Sequence, residues 1–283
     1  MGLFKNRYIV ERVAKHGVIH VFLMIVVVSC LFPVFWMVRS SLMTNATIFS
    51  DQALFPKEAH WQNYVEAWTR GNFAVYFLNS VIYTVSVVTG IVLVASLAAY
   101  AFSRLRFPGK NVIFYMFLAA MMIPLPGSFV PLFVLMTKLG WANTRFGYIL
   151  CMINVGLSLS ILLLKTFFDK MPTDIEDAAR IDGCNRLQLW WFVALPLARP
   201  ALAVVVIYNS LNVWNEYILA SLLLNDKSLM PLQKGLMVFQ GTYLTDYPVL
   251  MAGLTMTALP VIVIYLIMQK HIVKGILSGA IVG

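Results

Sequence analysis

Charge is scarce in this chain. Asp, Glu, Lys and Arg make up 12% of its 283 residues, about half the share carried by an average soluble domain. That shortage excludes a surface built for water. Acidic residues are the scarcer sign, 12 against 21 basic ones, which leaves a net charge of +9. The basic residues are scattered between apolar runs and form no stripe, so the excess does not point to nucleic acid. Three dispersed cysteines (Cys30, Cys151 and Cys184) make neither a disulfide framework nor a zinc site. The four histidines His16, His20, His60 and His271 are widely separated and supply no metal cluster. No G-x-x-x-x-G-K-[ST] phosphate loop occurs, so the chain has no ATP site of that kind.

What the chain has is apolar length: 60% of its residues are hydrophobic, and the mean hydropathy is +0.81. A bilayer core ~30 Å thick needs ~20 mostly apolar residues per helical span. Six stretches qualify, about 17–38, 76–102, 111–137, 146–168, 200–224 and 249–269. The expected fold is therefore an all-α, multi-pass membrane protein forming one membrane domain over residues 1–283. The first stretch follows Lys5, Arg7, Arg12 and Lys15 and reads as an uncleaved anchor. If the N-terminus is cytoplasmic, the inside segments hold 14 of the 21 basic residues. The positive-inside rule then places both termini in the cytoplasm. The clearest single indicator is the loop 103–110, with Arg104, Arg106 and Lys110 and no acid.

The outside loops are expected at about 39–75, 138–145 and 225–248. The first carries Trp61, Tyr64, Trp68 and Tyr76, aromatics suited to a membrane–water interface. The largest inside segment, about 170–199, contains a short helix. Thr173 followed by Glu176 is the capping-box spacing of a helix start, and Gly183 suits the stop. A helix of this length, ~14 Å, is not stable alone in water, so it must pack on something. Ala178 and Ala179 permit close approach of another surface, and Asp174, Glu176, Asp177 and Asp182 make the helix acidic. Leu187, Leu189, Trp190, Trp191 and Phe192 follow as an apolar cluster fit to lie against the membrane-facing core, before Pro196 and Pro200 break the chain. On these residues alone, an interfacial connector between two spans fits equally well.

The string Glu176-Asp-Ala-Ala-Arg-Ile-Asp-Gly183, followed by Leu195-Pro-Leu197, resembles the "EAA" loop of binding-protein-dependent ABC importer permeases. The resemblance extends along nearly the whole chain. Ala99-Tyr-Ala-Phe-Ser-Arg-Leu-Arg-Phe-Pro-Gly109, Met122-Ile-Pro-Leu-Pro126 and Trp214-Asn-Glu-Tyr-Ile-Leu219 look like the carbohydrate-uptake branch. The ending Lys274-Gly-Ile-Leu-Ser-Gly-Ala-Ile-Val-Gly283 looks like that of maltose-system G-type subunits, with Val282 where a basic residue is common. The family's glutamate before the two alanines falls on Asp177, a carboxylate one methylene shorter.

The resemblance implies a type I ABC importer permease in the cytoplasmic (inner) membrane of a prokaryote. It implies no catalysis in this chain, since a separate ATPase dimer would bind ATP and Mg. It also implies a second homologous permease subunit, an extracytoplasmic solute-binding protein and contact with membrane lipid, with no nucleic acid. Thr173, Glu176, Asp177, Ala178, Ala179, Asp182 and Gly183 would form the coupling helix that docks on the ATPase. The 39–75 and 225–248 loops would meet the binding protein.

Polar residues within a span are costly and usually face a bundle interior or a cavity. Tyr208, Asn209, Asn212, Asn215 and Glu216 are therefore the candidates for the solute pathway. Asn209, Asn212 and Glu216 are spaced to share one helical face, and Tyr208 or Trp214 offers a ring for stacking on a sugar. The same asparagines fit hydrogen bonds between helices equally well. Pro124, Pro126 and Pro131 imply either a gating bend or a static kink. A passive channel would not need the acidic, alanine-containing helix, and an intramembrane enzyme would need more than the single acid Glu216. A sugar importer and an importer of glycerol phosphate or polyamine both remain open at this stage.

Overall fold

The computed structural model describes the backbone of residues 2–70, 72–123, 125–240 and 245–280, and the side chains of 16–70, 72–123, 127–240 and 245–266. Pro124, Pro126 and the C-terminal 274–283 side chains, Val282 among them, lie outside the described residues. The chain divides into two units, residues 1–71 with 238–257 and residues 72–237 with 258–283.

The first unit begins with α1 (Gly2–Ser41). Within its part from His16 to Ser41, an 18-residue stretch reaches a mean hydropathy of 2.7. Val18, Phe22, Ile25 and Leu31 are all exposed there. A helix apolar on every side with no protein over it is suited to lipid. At its end Arg39 is buried over the Trp36 ring, 4.5 Å from the centroid. It donates from Nε to the Ala53 carbonyl (2.8 Å) and from Nη2 to that of Asp51 (2.6 Å), holding the following loop. α2 (Gln62–Arg70) is tied back by Asn63, whose amide donates to the Ser41 and Met43 carbonyls, both at 2.8 Å.

The second unit is built on α3 (Phe73–Arg104), α4 (Lys110–Ala120), α5 (Leu125–Lys138) and α6 (Arg145–Lys170). α3 and α6 form its most extensive helix pairing. Tyr83, Val87, Ile91, Ala95 and Ala99 recur every fourth residue along α3, and all are buried. Small residues in such a stripe let membrane helices approach closely. On α6 the close approach falls at Gly156. A Cβ there would lie 2.3 Å from Ile91 Cδ1 and 2.4 Å from Asn209 Oδ1.

The stretch expected as a third span is broken. α4 and α5 are 11 and 14 residues long, each short of the ~20 a span requires. α4 ends at Ala120 and residues 121–123 are not helical; Ile123 precedes Pro124 in the sequence, and the residue before a proline is pushed away from helical backbone.

After α6 come α7 (Thr173–Ile181), α8 (Arg186–Gln188), a π-helical turn at Leu189–Ala194, α9 (Leu195–Leu197) and α10 (Arg199–Trp214). The Arg186–Leu197 stretch meets α10 at a bend of 79°. The apolar cluster before the bend is split. Leu189 and Trp190 are buried, while Leu187, Trp191 and Phe192 are exposed. The expected continuous span 200–224 is also interrupted, because α10 stops at Trp214 and α11 (Ile218–Leu223) restarts beyond it.

Part of the expected outer loop folds back on α3. Asn79 donates to the carbonyls of Ser228 (2.8 Å) and Met230 (3.0 Å), and Tyr83 donates to that of Leu229 (2.6 Å). The Leu232 amide donates to Ser80 Oγ at 2.8 Å, and the short α12 (Leu232–Gly235) is seated there, with Leu232 and Gly235 buried. Lys234 turns its ammonium to the carbonyls closing α11, donating to Leu224 and lying 3.4 Å from those of Ala220 and Ser221. A cation is favoured at a helix C-terminus, while burial there pushes the Lys234 pKa down. Only residues 225–228 and Val238 remain exposed between Asn225 and Phe239.

The last helix is α13 (Tyr247–Ala280), of which residues 247–257 belong to the first unit. Among the described residues, four helices are long and apolar enough to cross a membrane: His16–Ser41, Phe73–Arg104, Arg145–Lys170 and Tyr247–Leu266. A fifth is counted if the bent Arg186–Trp214 pair is one span.

Candidate functional site: the α7 helix and the α10–α11 break

α7 spans Thr173 to Ile181, within the expected stretch from Thr173 to Gly183. Its C-terminal end is the expected one. Gly183 adopts φ +90°, its amide donates to the Arg180 carbonyl and the Cys184 amide to that of Ala179, both at 3.0 Å. This paired closure satisfies the last carbonyls, and a side chain at a left-handed position would be strained.

The N-terminal end differs from the expectation. Pro172 occupies the cap position and Thr173 is the first helical residue, so the Thr173–Glu176 capping box does not form. Glu176 is turned inward instead and is 2% exposed. Its Oε1 accepts from Arg104 Nε at 2.7 Å and its Oε2 from the Tyr100 hydroxyl at 3.3 Å. A buried carboxylate gains more from a guanidinium partner than a helix end would supply. The capping box of this region lies further on, where Asn185 Oδ1 accepts from the Gln188 amide (3.0 Å) and Gln188 Oε1 from the Asn185 amide (2.8 Å). Asn-x-x-Gln was a readable signal for it.

Periodicity divides the rest of α7. Ala179 is half-buried against the core, whereas Asp174, Asp177, Ala178 and Ile181 lie on the outward side with Asp182 just beyond. Ile181 is 87% exposed, an apolar side chain offered to whatever covers this face. Asp177 is also outward, paired with Arg180 Nη1 at 2.9 Å. The two adjacent acids thus part company, Glu176 facing the spans and Asp177 facing away.

The second group of residues does not share one face. Asn209 is buried and points at α6, donating to Ser160 Oγ at 3.0 Å and to the Val205 carbonyl at 2.8 Å. It is a bond between helices. Tyr208, Asn212 and Asn215 do lie together, all exposed, at the i, i+4, i+7 spacing of one helical face. They line an open cavity of about 670 Å³ that also touches Glu216 and Tyr217. Trp214 is buried edge-on to Phe77, with ring centroids 5.6 Å apart, and is not available for stacking on a solute.

Glu216 lies past the end of α10, so no helical face joins it to Asn209. Its Oε1 accepts from the Leu219 amide (2.5 Å), and its Oε2 accepts from the Ala220 amide and the Tyr148 hydroxyl (both 2.9 Å). The acid therefore opens α11 as a cap, where the helix dipole favours a negative charge. With Asn212 it also borders a mostly apolar cavity of about 820 Å³ between α5, α6 and α10, which reaches Ser128 and Asn154. Among the described residues, no group of His, Cys, Asp and Glu is placed to hold a metal ion.

Comparison with known proteins decides what kind of chain this is. Residues 91–278 match the family described as "Binding-protein-dependent transport system inner membrane component". The chain belongs to that family. Among its relatives is the diacetylchitobiose uptake system permease protein NgcG of Streptomyces coelicolor, 34% identical over 92% of this chain and 87% of the relative. The trehalose/maltose transport system permease protein MalG of Thermococcus litoralis is 31% identical over 96% of this chain and 99% of its own length. A chain of the crystal structure of a bacterial ABC transporter that imports the acidic polysaccharide alginate superposes with a TM-score of 0.79. It is 27% identical and covers 91% of this chain and 96% of that one.

Within this family of inner-membrane permeases, the matched stretch takes in α7, α10 and α11 together with Arg104, so both regions described above fall inside it. Two residues of the α7 site escaped sequence reasoning. Tyr100 and Arg104 lie 76 and 72 residues before Glu176, and Arg104 was legible only as one of three bases marking an inside loop. Nothing in the spacing announces that it reaches an acid on another element.

Proposed function

We propose that this chain is a permease subunit of an ATP-driven ABC importer, crossing the membrane six times with both ends cytoplasmic. The spans are α1, α3, α4 with α5, α6, α10 with α11, and α13. The single observation that carries the reading is the two-sidedness of α7. Its inner face is locked to the end of α3, and its outer face (Asp174, Asp177, Ala178 and Ile181) is bare. Ala178 admits close approach, Ile181 supplies apolar area and the acids suit a basic rim, the composition expected of a helix that seats in a groove. The ATP and Mg then belong to a separate ATPase dimer. A second homologous permease and an extracytoplasmic solute-binding protein complete the importer.

The solute we infer is a sugar or oligosaccharide, in keeping with the substrates named for the relatives. The exposed face of Tyr208, Asn212 and Asn215 presents neutral groups that donate and accept, which suits hydroxyls. Glu216 already accepts three hydrogen bonds, so it offers little to a cationic solute such as a polyamine.

Ala178→Trp tests the docking reading. It should leave membrane insertion intact and lower transport-coupled ATP hydrolysis by roughly 100-fold, the scale of a residue at an interface hot spot. Coupled hydrolysis at the parental rate would refute the reading. Topology is checked separately. Single cysteines at Arg106 and Asp174 should react only from the cytoplasmic side and one at Lys227 only from outside, and any reversal would overturn the six-span arrangement.

A further inference from the structure

Arg104 does more than pair with Glu176. Its Nη2 also donates to the carbonyl of Met171, at 2.6 Å, where α6 ends. One guanidinium at the last residue of α3 therefore holds the end of α6 and the inner face of α7 together. Tyr100, one turn earlier on α3, bonds the same carboxylate, and its ring stands edge-on to Phe168 of α6 with centroids 5.8 Å apart. The seat is closed to water: the Glu176 side chain is 2% exposed and that of Arg104 11%. Chain connectivity alone would tie α7 only to α6 on one side and, through the π-turn segment, to α10 on the other. The ion pair adds a third attachment, to a helix 72 residues away in sequence.

We infer that Arg104 and Glu176, assisted by Tyr100, are positioning residues that make α7 and the α3–α6 pair one lever, so that displacement of α7 is delivered to those two spans. This rests on the reading of α7 as the ATPase-docking helix and adds which spans receive its movement and through which atoms. A buried ion pair is a costly way to gain stability. It is directional and, being buried, costly to pull apart, which a transmission link requires and an apolar contact between smooth faces does not supply.

The experiment uses the complete importer reconstituted in vesicles, with uptake and ATP hydrolysis measured on the same samples. Removing one partner would strand a buried charge and risk misfolding, so the main variant is the double change Arg104→Ala with Glu176→Ala. It should assemble with the ATPase and hydrolyse ATP within about twofold of the parent, while solute taken up per ATP falls about tenfold, within the range of coupling between distant sites. Glu176→Gln, which keeps an oxygen for Arg104 or Tyr100, should recover most of that ratio. Parental uptake per ATP in the double variant would overturn the proposal. So would a proportional fall in uptake and hydrolysis with loss of the bound ATPase, since the pair would then serve docking or folding alone. Failure of the docking reading itself is distinguishable, because Ala178→Trp would then leave hydrolysis coupled whatever the double variant does.

Discussion

α7 and the α10–α11 break both carry polar side chains, and they use them in opposite ways. In α7 the charges are sorted by direction. The inward acid is paired with a cation and buried, and the outward acids are exposed, with Asp177 in a surface pair with Arg180. On the exposed Tyr208, Asn212 and Asn215 face at the far end of α10 the polar groups are neutral, with Asn212 and Asn215 each donating back to the carbonyl four residues earlier, at 2.9 Å in both cases. The one acid nearby, Glu216, is held by two amides and a hydroxyl and, among the described residues, by no cation. The difference follows from the solvent. At a water-facing end a charge is affordable and a paired one makes a stiff link, whereas within a bilayer free charge is expensive. A pathway there is lined more economically by amides and phenols. On the function proposed above, the first region would transmit force and the second would let a hydrated solute pass.

The widest gap between the two is expected in α7 itself. Glu176→Ala leaves Arg104 buried without its partner and should destabilise the α7 seat by about 3–5 kcal/mol. Asp177→Ala, one residue on, should change stability by under about 0.5 kcal/mol, as for an exposed ion pair. Thermal unfolding in detergent compares them, and equal losses would erase the distinction between inward and outward acid. A smaller contrast is expected in α10. Asn209→Ala removes a buried bond between helices worth about 0.6 kcal/mol on average in membrane proteins, with a ceiling near 2. Asn212→Ala should leave unfolding unchanged and alter the apparent affinity of uptake. The reverse pattern would mean that Asn209, not the exposed face, meets the solute.

The smallest effect is a pH dependence at the 225–228 loop. The amide and hydroxyl of Ser228 hold the Asp226 carboxyl below its ordinary 3.8. A carboxyl lowered in the folded state contributes stability that is present above 3.8 and is lost as the pH falls through its folded value. A spin label at position 227 should therefore gain mobility only below about pH 4, and loosening near neutrality would contradict this assignment.

Much of this was legible beforehand for a physical reason. Helix length and apolar content are local quantities, so the helices at 17–38, 76–102 and 146–168 appear as α1, α3 and α6. Gly183 is likewise local, because a left-handed residue at a helix end selects glycine whatever surrounds it. The readings that changed needed a neighbour. Hydropathy cannot see that 111–137 and 200–224 are interrupted, because apolar content is the same on both sides of a break. Nor can it see that residues 229–236 return to α3, since Asn79, Ser80 and Tyr83 look like ordinary span residues until the loop meets them.

The sequence by itself determined the class of molecule, the length of its main helices and the place of one short acidic helix with its glycine stop. Those depend on solvent transfer and backbone preference, which each segment carries within itself. Only the tertiary structure decided which acid of the Glu176–Asp177 pair faces the spans, and that Asn209 serves a neighbouring helix while Tyr208, Asn212 and Asn215 remain open. Those choices depend on which residue stands opposite, and Arg104 and Ser160 are brought there by the packing of α3, α6 and α10.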